Sequence, residues 1–270
     1  MWSDKLFTKT KIGIVGLGYV GNAIKESLTP FAYQVVVLDP PKGIVSTYEN
    51  LATCEAVFIC VPTPQGDDGS CDTSILESVL ENLAKVNYTG VVISKCTAPP
   101  DTYKELNERF YNLVHAPEFL TAANAVNDYA AGKFSIIGGK VRAYQHEAER
   151  IIRITQPSLK SVEFCSISEA ALAKYAINSF LATKVVFMNE LHGIAVASGL
   201  DFNTIASMIK LDERIGNSHM KVPGPDGSFG FGGYCFPKDT AALLKYAESL
   251  NKPLNVLDAV VKKNTLLRLQ

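Results

Sequence analysis

The stretch KIGIVGLGYVGNAIKESL, residues 11–28, constrains the fold of this chain more than any other. It sets Gly16, Gly18 and Gly21 between a short apolar run and a segment with helical apolar spacing. At such a junction the first glycine permits a tight turn and the second lets a pyrophosphate approach the backbone. The third lets helix and strand pack closely, while the helix N-terminus offers unpaired N–H groups to an anion. A glycine pattern alone is weak, but here Asp39 ends the next apolar run, QVVVLD, 23 residues after Gly16. A carboxylate in that place can bind ribose hydroxyls and repel a 2′-phosphate, which favours NAD over NADP. Lys42, close by, reads as an ordinary solvated loop lysine. A fold of this kind can also hold FAD or serve as a sensor, so the chemistry must come from other residues.

Short apolar runs alternate with helix-length segments through the first 165 residues: 12–15, 35–38, 56–61, 91–94, 113–115 and 135–137. That alternation predicts an α/β, Rossmann-type, doubly wound parallel sheet with crossover helices. Near Ser166 the pattern changes. SISEAALAKYAINSFLATKVVFMNELHGIAVASG runs about 34 residues without proline and without glycine before Gly193, roughly 50 Å if fully helical. Further helices are expected from Asp201 to about Leu211, from Pro237 to Leu250 and from Leu254 to Leu267, with a glycine-rich loop, GPDGSFGFGG, between the first two. The expected organisation is a cofactor domain of residues 1–165 and an all-helical domain of residues 166–270 built on the long helix, which would also be a dimer spine.

With 270 residues and 47% of them hydrophobic, the chain can bury a core in each of two modest domains. Lysine and arginine total 26 against 27 aspartate and glutamate, so no bulk field draws it to nucleic acid or anionic lipid. The start, MWSDKLFTKTKIGIVG, lacks the apolar core of a signal peptide, and the apolar run from Ala176 to Leu200 is broken by Asn178, Lys184, Glu190 and His192. The expectation is a soluble, cytoplasmic protein without membrane or nucleic-acid partners. Six scattered cysteines with no CxxC pair suit reduced thiols, with no metal site. Cys54, Cys60, Cys71, Cys96 and Cys165 read as structural or incidental.

Cys235 stands apart. GFGGYCFPKDT places it in a glycine-rich loop just before a helix whose first turn contains Pro237. The positive end of the helix dipole and Lys238, three residues on, favour its thiolate and thus a nucleophile, against the plainer reading of a small buried hydrophobe. On the long helix Lys174 and Asn178 are four residues apart and share a face. Such a pair is ordinarily solvated, but in a cleft it could stabilise an oxyanion.

Taken together, ICVPTP (59–64), APEFL (116–120), EAALAKYAINSFLATKVVFMNEL (169–191), DERIG (212–216) and GFGGYCFPKD (230–239) resemble the UDP-glucose/GDP-mannose dehydrogenase family, in the family's order and over nearly the whole chain. The resemblance implies an NAD-dependent dehydrogenase that oxidises the primary alcohol of a sugar nucleotide, UDP-glucose foremost, to a carboxylate in two hydride transfers through a cysteine-bound intermediate. In that scheme Cys235 is the nucleophile, Lys174 and Asn178 stabilise oxyanions, and Asp239 assists proton and water chemistry. Thr97, in KCTAPP, helps position water, and Glu118 assists thioester hydrolysis. Tyr19, Val20, Pro62 and Thr63 join the three glycines and Asp39 at the cofactor. Phe119, Leu120, Arg214, Lys221 and Gly232 join Lys174 and Asn178 at the sugar nucleotide. As isolated residues, Thr97 would be a strand-end hydroxyl, Glu118 a surface carboxylate, Asp239 a helix N-terminal carboxylate, and Arg214 and Lys221 solvated charges.

The family usually continues into a further Rossmann-like domain that helps bind the nucleotide, whereas this sequence ends at Gln270. The contacts of such a domain are expected to be absent, replaced by another chain or compensated by dimer packing. Smaller departures are Cys96 where serine is common, Ala116 in place of an asparagine, and Tyr234 beside the nucleophile in place of a small serine. Two other readings stand beside this one: a one-step β-hydroxyacid-type dehydrogenase using a helix lysine, and a truncated, non-catalytic NAD-binding or oligomerisation module.

Overall fold

A computed structural model describes residues 10–31 and 33–270. The first nine residues, on which the reading of an absent leader partly rests, lie outside the described residues. Eight strands, β1 (Lys11–Val15), β2 (Gln34–Asp39), β3 (Ile44–Val45), β4 (Ala56–Ile59), β5 (Val91–Ser94), β6 (Leu113–His115), β7 (Phe134–Gly139) and β8 (Ser161–Cys165), form one sheet in the order β3-β2-β1-β4-β5-β6-β7-β8. Between them run α1 (Tyr19–Leu28), α2 (Tyr48–Leu51), α3 (Ser74–Lys85), α4 (Pro100–Arg109), α5 (Ala125–Ala130) and α6 (Arg142–Thr155). After the sheet come α7 (Ile167–Ala197), α8 (Phe202–Ile209), α9 (Cys235–Ser249) and α10 (Asn255–Leu267).

β4 and β5 are buried at every residue, as strands covered on both faces must be. Successive side chains point to opposite faces. Val57 and Ile59 join Leu76, Leu80, Leu83, Tyr103 and Leu106 from α3 and α4, while Ala56 and Phe58 join Ala23, Ile24, Leu28, Ile151 and Ile152 from α1 and α6. The strand order reverses at β1, with β2 on one side and β4 on the other. In open sheets of this type the crevice outside the carboxyl ends of the strands at that reversal is where ligands bind.

The sheet departs from uniformly parallel pairing in two places. β3 returns antiparallel on β2 after a left-handed turn at Gly43 (φ 70°). β7 pairs antiparallel with β6, Val114 opposite Gly139, before β8 resumes parallel pairing through α6. The chain between β6 and β7 is spent on a loop, a short turn and the six-residue α5 rather than on a full crossover helix.

The described residues pack as two compact units. The first comprises the chain through Pro64 together with Asp72–Lys174, and the second comprises Gln65–Cys71 together with Tyr175–Gln270. One division falls inside α7, and another makes a seven-residue excursion, closed by a bridge between Gln65 and Cys71, part of the second unit. α7 is 31 residues of continuous helix and is long and apolar enough to cross a membrane by length and composition. Its polar side chains nonetheless find protein partners: Lys184 donates to the carbonyls of Ile215 and Gly216, and Asn189 bonds the Gly230 N–H. In the second unit Asp201 caps α8, accepting from the N–H groups of Asn203 and Thr204.

Candidate active site

In the first unit the turn after β1 behaves as its three glycines require. Gly16 has φ 88°, and a Cβ there would lie 2.7 Å from the Cys60 carbonyl oxygen. A Cβ on Gly21 would lie 2.0 Å from the Gly16 carbonyl oxygen, so helix and turn touch backbone to backbone. Around Gly18, at the N-cap of α1, nothing lies within 4 Å of an added Cβ. That open position faces a cleft of about 640 Å³ lined by Leu17, Gly18, Tyr19, Asn22, Lys42 and residues 122–127. Asp39, buried at the end of β2, accepts the Leu17 N–H at 2.7 Å and so ties β2 to the turn. Lys42 is exposed in the loop, and its ammonium donates to the Leu17 carbonyl. These residues fit a dinucleotide: Gly18 and the first turn of α1 would take its pyrophosphate and Asp39 its ribose hydroxyls. Val20 follows on α1, half-buried, and Pro62 is exposed just beyond β4. Thr63 is buried and donates to the Thr97 carbonyl at 2.7 Å, joining the two loops that follow β4 and β5.

A second group forms around Glu118. Its carboxylate is not a surface group. Oε2 lies 3.3 Å from the ammonium of Lys95, with side chains 11% and 1% exposed, and Oε1 accepts the Phe119 N–H at 2.9 Å. The Glu118 carbonyl accepts from Lys174, whose buried ammonium also lies 4.9 Å from the centre of the Phe119 ring. Phe119 and Leu120 are half-buried. Lys95, Glu118, Phe119, Asp128, Lys133 and Gln156 border a cavity of about 170 Å³. Just below, His115 stacks on Tyr103 at 4.2 Å, and burial pushes its imidazole down to about 3.

In the second unit Gly230 and Gly233, both with left-handed φ, bring the chain to Tyr234, and α9 begins at Cys235 itself rather than after it. Cys235 is exposed at the first helical position. One turn on, Asp239 is 1% exposed, and both of its oxygens are engaged. Oδ1 pairs with Lys238 at 2.6 Å and Oδ2 accepts from Asn178 at 2.5 Å. Burial opposes the charge on Lys238, but Asp239 outweighs it and holds the ammonium above its ordinary range. Lys238 thus pairs with Asp239, and Asp239 is a buried hub rather than a helix-end carboxylate. Gly232 lies under the guanidinium of Arg268, which would stand 2.9 Å from a Cβ there. Arg214, its side chain 89% exposed, clasps Asp212 in the same loop, and Lys221 is exposed. Neither joins the Asn178, Lys238 and Asp239 cluster. Sequence reasoning passed over Lys95. The available signal was a lysine directly after the short, largely apolar run VVIS.

An open glycine turn at the reversal of a doubly wound sheet, followed by a helical unit, defines the dinucleotide-binding class of fold. Residues 44–156 match the NAD binding domain, and residues 168–266 the central domain, of the UDP-glucose/GDP-mannose dehydrogenase family. The chain belongs to that family. It is 36% identical to the UDP-glucose 6-dehydrogenase of Pseudomonas aeruginosa over 81% of this chain and 50% of that protein. It is 30% identical to the putative UDP-glucose 6-dehydrogenase YtcA of Bacillus subtilis over 93% of this chain and 66% of that one. Among solved structures, a UDP-glucose dehydrogenase from the hyperthermophilic archaeon Pyrobaculum islandicum superposes with a TM-score of 0.81 at 25% identity, covering 98% of this chain and 70% of that one. The chain spans between half and two thirds of the length of these two curated relatives.

Proposed function

We propose that this chain is an NAD-dependent nucleotide-sugar dehydrogenase that converts the C6 alcohol of UDP-glucose to the carboxylate of UDP-glucuronate, a sugar acid used in polysaccharide assembly. The observation that carries the reading is the exposed Cys235 at the first position of α9, where the helix dipole favours a thiolate. NAD, when held at Gly16, Gly18, Gly21 and Asp39, supplies the hydride acceptor for each of two oxidations. The thiol of Cys235 adds to the aldehyde carbon and retains it as a thiohemiacetal, which the second oxidation turns into a thioester. Covalent capture prevents loss of a reactive aldehyde. Lys174 and Asn178 donate to the oxygen that gains charge at each stage. Asp239, fixed by Lys238 and Asn178, orients the amide of Asn178. Glu118 takes a proton from the water that cleaves the thioester, with Thr97 helping to place that water. Phe119, Leu120, Arg214, Lys221 and Gly232 contact the sugar nucleotide. The residues 1–165 bind cofactor and 166–270 carry the nucleophile. The protein works in the cytoplasm as a homodimer through α7, apart from membranes and nucleic acid.

An NAD reduction screen over UDP-glucose, GDP-mannose and related sugar nucleotides, with the acid product identified by mass, tests the reading. Two NADH per acid are expected from UDP-glucose. Cys235→Ser should lose at least about a thousandfold in steady-state turnover while NAD affinity stays within twofold. One NADH per product would instead mark a one-step dehydrogenase, and silence across the screen a binding module.

A further inference from the structure

Lys95 opens the KCTAPP segment, in which only Thr97 has been given a role, yet its ammonium is enclosed by protein. A buried cation without an anion costs several kcal/mol, so its partner matters. Three titratable neighbours are neutral at neutral pH. Burial pushes the Cys60 thiol and the Tyr129 phenol well up and His115 down to about 3, and the Tyr129 ring centre lies 5.6 Å from Nζ. Of the charged groups around the adjoining cavity, Asp128 is engaged by Thr121 and Asn124 and Lys133 is a second cation, while the ammonium of Lys174, outside the cavity lining, goes to the Glu118 carbonyl. The anion at Lys95 is therefore the Glu118 carboxylate. Lys95 is itself fixed at the end of β5, its N–H donating to the Ile59 carbonyl at 2.9 Å. The Lys95 ammonium and the Phe119 N–H hold one carboxylate oxygen each, so Glu118 cannot swing. The cavity it borders, about 170 Å³, is large enough for several waters at about 30 Å³ each.

We propose that Lys95 is a positioning residue for hydrolysis: it locks the Glu118 carboxylate against water drawn from this cavity, an inference that rests on the roles of Cys235 and Glu118 proposed above. Water oxygen adds to the thioester carbon as Glu118 accepts one water proton. The C–S bond then breaks, sulfur takes the electron pair, and the proton returns to it, leaving acid and thiol with no change of oxidation state. Loss of Lys95 therefore slows the step after both oxidations and leaves the earlier ones alone.

The test uses Lys95→Met, which keeps chain length and removes the charge, in rapid-quench experiments with UDP-glucose and NAD. The first turnover should release both NADH equivalents at a rate within about threefold of wild type. Steady-state kcat should then fall tenfold to a hundredfold, and intact-protein mass should show an acyl adduct on Cys235. Glu118→Gln should give the same adduct, Lys95→Arg should recover part of the loss, and the double variant Lys95→Met/Glu118→Gln should be no slower than the worse single. The double variant removes both buried charges, so it remains informative if Lys95→Met alone folds poorly. Wild-type kcat in Lys95→Met, or losses that multiply in the double variant, would overturn the positioning role. Absence of any Cys235 adduct in Glu118→Gln would overturn the proposed hydrolytic role of Glu118, and this inference with it.

Discussion

The glycines of the cofactor turn do different work, and the geometry separates them. At Gly21 an added methyl meets the Gly16 carbonyl at 2.0 Å, so Gly21→Ala should cost about 1–3 kcal/mol in urea unfolding. At Gly18 the space is open and the backbone is extended, with φ −73°. Gly18→Ala should therefore fold within about 1 kcal/mol of wild type while its NAD dissociation constant rises about tenfold, which is roughly 1.4 kcal/mol. Calorimetry with NAD beside urea titration distinguishes the two, and equal effects would contradict the assignment. His115 makes a second prediction. Burial lowers its folded value to about 3 from the ordinary 6.5, so below 6.5 the unfolded chain binds a proton that the folded one refuses. Its stabilising contribution is complete above pH 6.5 and is lost as pH falls toward 3, at up to about 1.4 kcal/mol per pH unit. His115→Gln should flatten that limb of stability against pH; an unchanged slope would remove His115 as its source.

Among the elements, α7 carries the largest consequence. Phe180, Phe187 and Ile194 recur every seven residues on one face and are 69%, 62% and 62% exposed. A stripe of large apolar side chains at that spacing is the kind of surface a second copy covers. Phe187→Glu should shift the protein to monomer in light scattering at micromolar concentration, and a wild-type monomer would sink the idea. The existence of α7, α8, α9 and α10 was legible in the sequence, within about two residues at their ends, because a long run free of Gly and Pro and the Gly and Pro that flank helices are local signals. β3 and β8 were not. β3 is two residues held by its neighbour, and SVEFC carries a glutamate and no fully buried residue. The antiparallel pairing of β6 and β7 was equally hidden, since strand direction is set by where the intervening chain packs.

For the whole molecule, the doubly wound sheet and the helical segment after it followed from alternation and its sudden end near Ser166. The sequence named candidate site residues one by one, while the links between them were not legible. Lys95 and Glu118 are 23 residues apart, Asn178 and Asp239 61, and nothing local announces either partnership. Those links exist only because burial forces each charge and amide to find a complement. The excursion at Gln65–Cys71, which packs with Tyr175–Gln270, has a bearing on modularity. A chimera made at one junction in α7 would graft the helical module without a piece of its own packing. Exchange of residues 175–270 alone with a relative should yield poorly soluble protein, and carrying residues 65–71 along should restore a single cooperative melt. Homologous recombination within this family would then be constrained less by where the chain passes from sheet to helices than by seven residues that travel with a segment over a hundred positions away.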